Sequence, residues 1–179
     1  MKKIFLSGSL LGALVLAVAV SAASPNFGGT WLLDKSKSQG LSRRQQAADS
    51  VTWTITQNDK QITVEEKVVG GDMGGGGGGA GGGGGRGFGG GAPGPRSYNL
   101  DGSDTPFEMG PAKGSRKTSW SGSTLELISK ATFTGQQGEV TTTSSDKLSL
   151  SGDGKTLTVN RHSESPRGAQ DSTLVFNKQ

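Results

Sequence analysis

Short segments of alternating apolar and polar residues, separated by turn residues, most constrain the fold of this chain. In residues 51–57, valine, tryptophan and isoleucine alternate with threonine, which is typical of a strand with one buried face. Residues 120–127 and 148–159 each combine a turn with strand patterns, and the second contains Asp153 followed by Gly154, a dipeptide that favours tight hairpins. The sequence therefore predicts antiparallel hairpins.

The number of such segments and their connections indicate the architecture. Residues 24–179 contain about eight to ten predicted antiparallel strands, joined in chain order by short turns. A single all-β domain that closes into a barrel suits this up-and-down meander, because closure removes exposed sheet edges. A β-sandwich is the second choice. Only residues 42–48 are compatible with a helix, and that helix is short.

Residues 1–23 predict export. Lys2 and Lys3 precede an uncharged apolar stretch over residues 4–20, and small residues follow, which is the layout of a cleavable secretory signal peptide. We expect cleavage after Ala23 and a periplasmic or secreted protein without a stable membrane anchor. The alternative is an uncleaved anchor, because the apolar stretch is nearly long enough to span a bilayer. The sequence contains no cysteine, which excludes lipid attachment through cysteine and excludes disulfides.

Residues 70–95 interrupt the strand pattern with a run that is mostly glycine. Glycine loses much backbone entropy when it is ordered, and this run has little surface to bury in return, so we expect a disordered loop within the domain. Closing it costs only about 1.4 kcal/mol more than closing a five-residue loop, so a stable domain can carry it. Its glycine spacings also fit a nucleotide-binding fingerprint, but the run continues into Pro93 and Pro95 instead of opening a helix, which excludes that site.

Charge and residue types exclude several classes of function. The chain has 19 basic and 15 acidic residues, and removal of Lys2 and Lys3 with the signal peptide leaves 17 basic residues. The basic residues are scattered, whereas a nucleic-acid-binding protein concentrates them in a stripe. One histidine, His162, and no cysteine support neither a catalytic constellation nor a zinc site. We therefore predict no enzyme, no metal and no cofactor, and we expect His162 to face the solvent.

The start of the mature chain carries a resemblance to a known family. Residues 26–31 read Asn-Phe-Gly-Gly-Thr-Trp, and the triplet Gly29, Thr30 and Trp31 is similar to the G-x-W triplet that opens the first strand of lipocalin-like barrels. The hairpin sequence over residues 153–159 also resembles the last hairpins of small exported bacterial proteins of this kind. The resemblance implies a calycin-type barrel that binds a small apolar molecule in its interior. The glycine-rich run and the absence of disulfides depart from that pattern.

Polar residues at core-facing positions are the candidate site. Glu66, Arg116 and Arg161 each share the face of apolar residues in their strands, and an uncompensated charge there is costly. One interpretation is a polar lining of an interior cavity, in which these side chains orient a ligand against Trp120 and Tyr98. The other is that they lie at strand ends, with their charged groups in water. If they share a cavity, we expect Glu66 and Arg161 to be partners, directly or through water.

These patterns predict an exported lipocalin-like protein that binds a small, partly apolar ligand in the barrel interior. The alternative is a non-enzymatic structural or protein-interaction module of the cell envelope, in which the glycine-rich loop acts as a tether. An interior cavity distinguishes the two, because a binding protein needs a few hundred Å³ of space whereas an interaction module is filled with side chains.

Overall fold

The computed structural model describes residues 24–70, 94–135 and 138–179, which form one ten-stranded antiparallel sheet with a single short helix. The predicted signal peptide and most of the glycine-rich run lie outside the described residues. The elements are β1 (Gly29–Leu33), α1 (Arg43–Ala47), β2 (Ala48–Gln57), β3 (Gln61–Gly70), β4 (Arg96–Asn99), β5 (Thr105–Met109), β6 (Ala112–Ser121), β7 (Thr124–Gly135), β8 (Gly138–Leu150), β9 (Thr156–Ser165) and β10 (Gly168–Lys178).

The strands follow one another around the sheet in the order β4-β3-β2-β1-β10-β9-β8-β7-β6-β5. Every pair of neighbouring strands is antiparallel. The pairing of β1 with β10 joins the first and the last strand of the chain within the sheet. The sheet's edge strand β4 is linked to the other end of the sheet by side-chain bonds. The backbone N–H of Asn99 donates to Thr105 Oγ1 of β5 at 3.2 Å, and Thr118 Oγ1 of β6 donates to the Asn99 carbonyl at 2.7 Å. The predicted all-β, up-and-down barrel is therefore confirmed, and the sandwich is not formed.

Local sequence accounts for the turns and for the helix. Asp153, predicted to form a hairpin turn, accepts hydrogen bonds from Ser151 Oγ at 2.5 Å and from the backbone of Lys155 at 3.1 Å. Ser42 caps α1 in a reciprocal capping box with Gln45. These two hydrogen bonds explain why so short a helix forms within the predicted residues 42–48. Within the described residues, no helix is long and apolar enough to cross a membrane.

The barrel interior is filled mainly by large apolar side chains that are fully buried. Those with the largest volumes are Trp31, Trp53, Tyr98, Phe27, Phe176, Ile62, Leu125, Leu148, Leu157 and Leu174. They belong to eight of the strands and to the segment before β1, and they form one contiguous cluster. Burial of the apolar surface of these side chains stabilises the fold, which has no disulfides.

The two ends of the barrel differ in their contents. At one end, here called the apolar end, the ring centroid of Phe27 lies 6.2 Å from that of Trp120, and Trp31 Nε1 donates to the Phe27 carbonyl at 2.9 Å. Gly29 has a φ angle of 138°, a backbone conformation that favours glycine. This conformation explains why a glycine occupies the first position of the G-x-W triplet. The other end, here called the polar end, carries α1 and the β5–β6 and β9–β10 turns.

Candidate functional site

Five charged side chains face the barrel interior toward its polar end. They are Glu66 of β3, Arg96 of β4, Arg116 of β6, Asp146 of β8 and Arg161 of β9. Residues directly paired across antiparallel strands point to the same face, so Arg96 lies inward with buried Val64, and Asp146 lies inward with buried Leu127. The inward positions thus change along the strands from apolar residues to charged ones.

Arg161 and Asp146 form a buried ion pair. Arg161 Nε donates to Asp146 Oδ1 at 2.6 Å and Nη2 donates to Oδ2 at 2.8 Å, with the two side chains only 10% and 6% exposed. Burial opposes both charges, but the attraction and hydrogen bonds between them outweigh it, so the pKa of Arg161 is raised and that of Asp146 is lowered. Both groups therefore stay ionised inside the barrel.

The sequence places Arg161 on the core face, and its direct ion-pair partner there is Asp146. The register sets Asp146 of β8 directly opposite Arg161 of β9. Glu66, by contrast, lies on β3 and accepts a hydrogen bond from Trp53. The sequence predicts that Glu66 and Arg161 are partners either directly or through water; the direct ion pair is not formed, because adjacent strands bring a different carboxylate to the guanidinium.

Trp53 connects the charged groups. Its side chain is fully buried, and its Nε1 donates to Glu66 Oε2 at 2.8 Å across the β2–β3 pair. The guanidinium carbons of Arg96 and Arg161 each lie 5.6 Å from the centroid of its ring, within the range of a cation–π interaction. One aromatic side chain therefore fixes a carboxylate and contacts two cations.

Arg116 is held by aromatic rings. Its guanidinium carbon lies 4.0 Å from the ring centroid of Phe107 and 5.9 Å from that of Tyr98. Burial lowers its pKa; Tyr98 opposes this effect, and the positive charge of Arg96 adds to it. The side chain still carries its charge at neutral pH, because a guanidinium is not deprotonated in proteins. Among the described residues, Arg116 has no acidic ion-pair partner.

A glycine makes this aromatic clamp possible. Gly114 pairs directly with Phe107, and a Cβ atom at Gly114 would approach Phe107 Cζ to 2.7 Å and would overlap the carbonyl oxygen of Lys130. The missing side chain leaves the space that the Phe107 ring occupies beside Arg116. The absence of a side chain at Gly114, two residues from Arg116 in β6, therefore allows the Phe107 ring of the neighbouring strand to lie beside the cation.

The remaining predicted site residues lie in different surroundings. Tyr98 is inside the barrel near the cluster, and its hydroxyl is 3.1 Å from Ser129 Oγ. Trp120 contacts Phe27 at the apolar end, four residues along β6 from Arg116, which corresponds to about 13 Å of strand. The structure thus brings together Glu66, Tyr98, Arg116 and Arg161, and it separates Trp120 from them.

Sequence reasoning missed several members of the cluster. Asp146 alternates with Leu148 and Leu150, so the rule that identified Arg161 also applies to Asp146. Arg96 follows the glycine-rich run directly and gives no strand pattern of its own. Phe107 carries no signal in the sequence, because its role depends on the position of Gly114 in the neighbouring strand.

A groove of about 650 Å³ lies on the outer face of the sheet, so it is not the interior cavity expected of a ligand-binding barrel. Its walls include Lys147 and Asn160, which alternate with the buried residues Leu148 and Val159 and therefore point outward. The groove also includes His162, whose Nδ1 lies 2.6 Å from Asp171 Oδ1 and whose Nε2 lies 3.3 Å from Glu164 Oε1.

The solvent-facing position of His162 is as predicted, since its side chain is 46% exposed. Its hydrogen bond to Asp171, and then that to Glu164, raise its pKa above the ordinary value of 6.5. Within the described ranges, no group of three or more histidine, aspartate or glutamate side chains is arranged to hold a metal ion.

Comparisons with known proteins find similarity to solved structures, whereas no family model and no curated protein sequence matches this chain. A zebrafish ileal bile acid-binding protein complexed with cholic acid has a TM-score of 0.46 and 14% identity, with 86% of this chain and 98% of that chain covered.

Two further structures are similar to the same degree. The fatty acid transporter REP1-NXSQ has a TM-score of 0.46 and 10% identity, with 86% of this chain and 96% of that chain covered. Secretory abundant heat soluble protein 4 from Ramazzottius varieornatus has a TM-score of 0.47 and 10% identity, with 89% of this chain and 99% of that chain covered.

Proposed function

We propose that the protein is an exported, non-catalytic carrier or sensor that binds a small, partly apolar molecule with an anionic group at the polar end of its barrel. The observation that carries this proposal is Arg116, a half-buried cation clamped by Phe107 and Tyr98 with no acidic partner among the described residues. A cation in such surroundings gains from an anionic ligand, because charge-assisted hydrogen bonds are stronger away from bulk water.

The apolar part of the ligand has suitable neighbours at the same end. Val68, Phe107 and Met109 face inward there, opposite Val51, Gly114 and Ala112 respectively, and all three are only partly buried. The apolar end itself is occupied by fully buried aromatic side chains. The ligand therefore places its charged group at Arg116 and its apolar part against the partly exposed side chains near the polar rim.

A matched pair of probes tests this function. Dodecanoate and dodecanol have the same tail and differ in charge, and binding to the protein is measured by titration calorimetry at pH 8. We expect dodecanoate to bind at least tenfold more tightly than dodecanol, since a hydrogen bond to a charged group contributes about 1.5–3 kcal/mol. Equal affinity for the two probes would refute an anion site, and binding of neither would favour the alternative of an interaction module.

Variants of adjacent residues locate the binding site. Arg116→Gln removes an inward positive charge and should weaken dodecanoate binding about tenfold or more. Lys117→Gln removes the same charge from the next residue of β6, which is exposed on the outer face, and should leave the affinity within about twofold. Equal losses in the two variants would show that only the net charge of the protein matters.

Export is a separate part of the proposal and rests on residues 1–23 of the sequence. N-terminal sequencing of protein recovered from the periplasm or medium should give Ser24 as the first residue. An intact N-terminus on membrane-bound material would instead indicate an uncleaved anchor.

A further inference from the structure

We infer that two inward carboxylates, Glu66 and Asp146, match the site to ligands that carry one negative charge and exclude those that carry two. This inference rests on the proposed function, because it concerns the charge class of the ligand bound at the polar end. It adds a selection rule that Arg116 alone does not provide.

The charges of the cluster leave a single unit uncompensated. Three guanidinium groups, at Arg96, Arg116 and Arg161, stand against the carboxylates of Glu66 and Asp146, so three positive charges less two negative charges leave one positive charge. Excess charge is costly in surroundings shielded from water, so the most favourable ligand is the one that neutralises the cluster. That ligand is a monoanion.

The position of Asp146 also limits the donors open to a ligand. Its two oxygens accept from Nε and Nη2 of Arg161, the paired donors with which a guanidinium binds a carboxylate or a phosphate. The register holds the two residues directly opposite each other, so the pair forms without any ligand. The charge of Arg161 and two of its five N–H groups are thereby committed to Asp146, whereas Arg116 and Arg96 have no ion-pair partner among the described residues.

Glu66 lowers the charge of the cluster without contacting a guanidinium in an ion pair. Trp53 Nε1 donates to its Oε2, and the indole ring also lies within 5.6 Å of the guanidinium carbons of both Arg96 and Arg161. A glutamine at position 66 can accept the same hydrogen bond through its amide oxygen. The substitution Glu66→Gln therefore changes the charge of the cluster while it preserves the bond to Trp53.

The experiment compares two ligands with the same tail and a similar head group. Dodecyl phosphate is predominantly a dianion at pH 8, because the second pKa of a phosphate monoester is about 6, whereas dodecyl methyl phosphate is a monoanion. Their affinities are measured by titration calorimetry for the full-length protein, for Asp146→Asn and for Glu66→Gln. Asp59→Asn, in the exposed β2–β3 turn at the apolar end, is the control for the same change in net charge.

The wild-type protein and Asp59→Asn should bind the monoanion about tenfold more tightly than the dianion. Asp146→Asn and Glu66→Gln each raise the cluster charge by one unit, and each should reverse the preference in favour of the dianion by a similar factor. Asp146→Asn should show the larger reversal, because it also replaces one of the two oxygens that accept from Arg161 and so frees one of its N–H groups.

The outcomes separate the inference from the proposed function. If the wild type binds neither phosphate and neither dodecanoate nor dodecanol, the proposed function fails. If the wild type binds the monoanion, but Glu66→Gln and Asp146→Asn keep its ligand preference unchanged, the charge-matching inference alone fails. Should Asp146→Asn not fold, Glu66→Gln decides the inference, and the double variant Asp146→Leu/Arg161→Met, which restores the charge of one unit, should keep the monoanion preference.

Discussion

The two ends of this barrel differ in the inward side chains that the same strands carry: these are apolar at one end and largely charged at the other. At the apolar end, aromatic and aliphatic side chains from the two halves of the sheet pack against one another, and the fully buried Phe27 contacts the partly buried Trp120. At the polar end, the inward positions carry the ion pair of Arg161 with Asp146 and the clamped cation Arg116. Packing stabilises the fold at the first end, whereas the second end keeps charged groups that packing alone does not require.

The difference indicates that the apolar end contributes most to stability; under the proposed function, the polar end is the binding end. A buried ion pair roughly balances its desolvation cost, so it is weak evidence for stability, whereas buried apolar area contributes directly. The comparison predicts that truncation at the apolar end lowers stability most. Changes at the polar end should depend on whether they leave a charge without its partner.

The largest effect is expected from Phe176→Ala at the apolar core. Phe176 is fully buried, and its ring centroid lies 4.9 Å from that of Trp53, so truncation leaves a cavity that the neighbours cannot fill. We expect a loss of about 4 kcal/mol in the free energy of unfolding, measured by denaturant melts. Val69→Ala, at a side chain that is 44% exposed, is the control and should stay within about 0.5 kcal/mol of wild type.

The next effect concerns the buried ion pair. Asp146→Asn leaves the guanidinium of Arg161 buried without its counter-charge and should cost about 3 kcal/mol. The double variant Asp146→Leu/Arg161→Met removes both charges and should cost less than Asp146→Asn alone. A double variant as unstable as the sum of its single variants would show that the two residues act independently.

The same pair gives the fold a dependence on acid pH. The folded pKa of Asp146 lies below the ordinary value of 3.8, so its contribution to stability is fully present above that value. As the pH falls toward the folded pKa, the carboxylate is protonated and this contribution is lost. Denaturant melts between pH 5 and 2 should therefore show a shallower loss of stability in Asp146→Asn than in the wild type.

A smaller effect is expected at α1, beside the polar end. Ser42 Oγ accepts from the backbone N–H of Gln45, and the Gln45 side chain accepts from the backbone N–H of Ser42. Ser42→Ala removes one half of this capping box and should cost about 1 kcal/mol, measured by thermal melts. A neutral result would mean that packing of the neighbouring Leu41 against the core holds this helix in place without the cap.

The smallest effect is expected on the outer face. The pKa of His162 is raised by Asp171 and Glu164, so its contribution to stability is complete below the ordinary value of 6.5 and is lost as the pH rises through the folded pKa. The pair is exposed and therefore screened by water. We expect the melting-temperature difference between wild type and His162→Gln to be smaller at pH 8.5 than at pH 5.5, and smaller at both than the effect of Ser42→Ala.

Much of the fold and part of the candidate site could be predicted from the sequence. The alternation in residues 51–57 predicted β2, although the strand begins three residues earlier, where a register shift between Ala48 and Ser50 hides the pattern. The same parity rule predicted that Glu66, Arg116 and Arg161 face inward. Parity identifies a face but not a neighbour, which is why Asp146 was missed as the partner of Arg161.

The sequence by itself determined the strand class, many of the turns and, in strands with a clear alternation, the inward or outward direction of side chains such as Glu66, Arg116 and Arg161, because successive residues of a strand alternate between its two faces. Only the tertiary structure decided which inward groups meet. Residues distant in sequence come together by strand order and register, so Asp146 reaches Arg161, Trp53 reaches Glu66, and Phe107 lies over Gly114. The charge left at Arg116, on which the proposed function depends, is a property of that assembled set and not of any one segment.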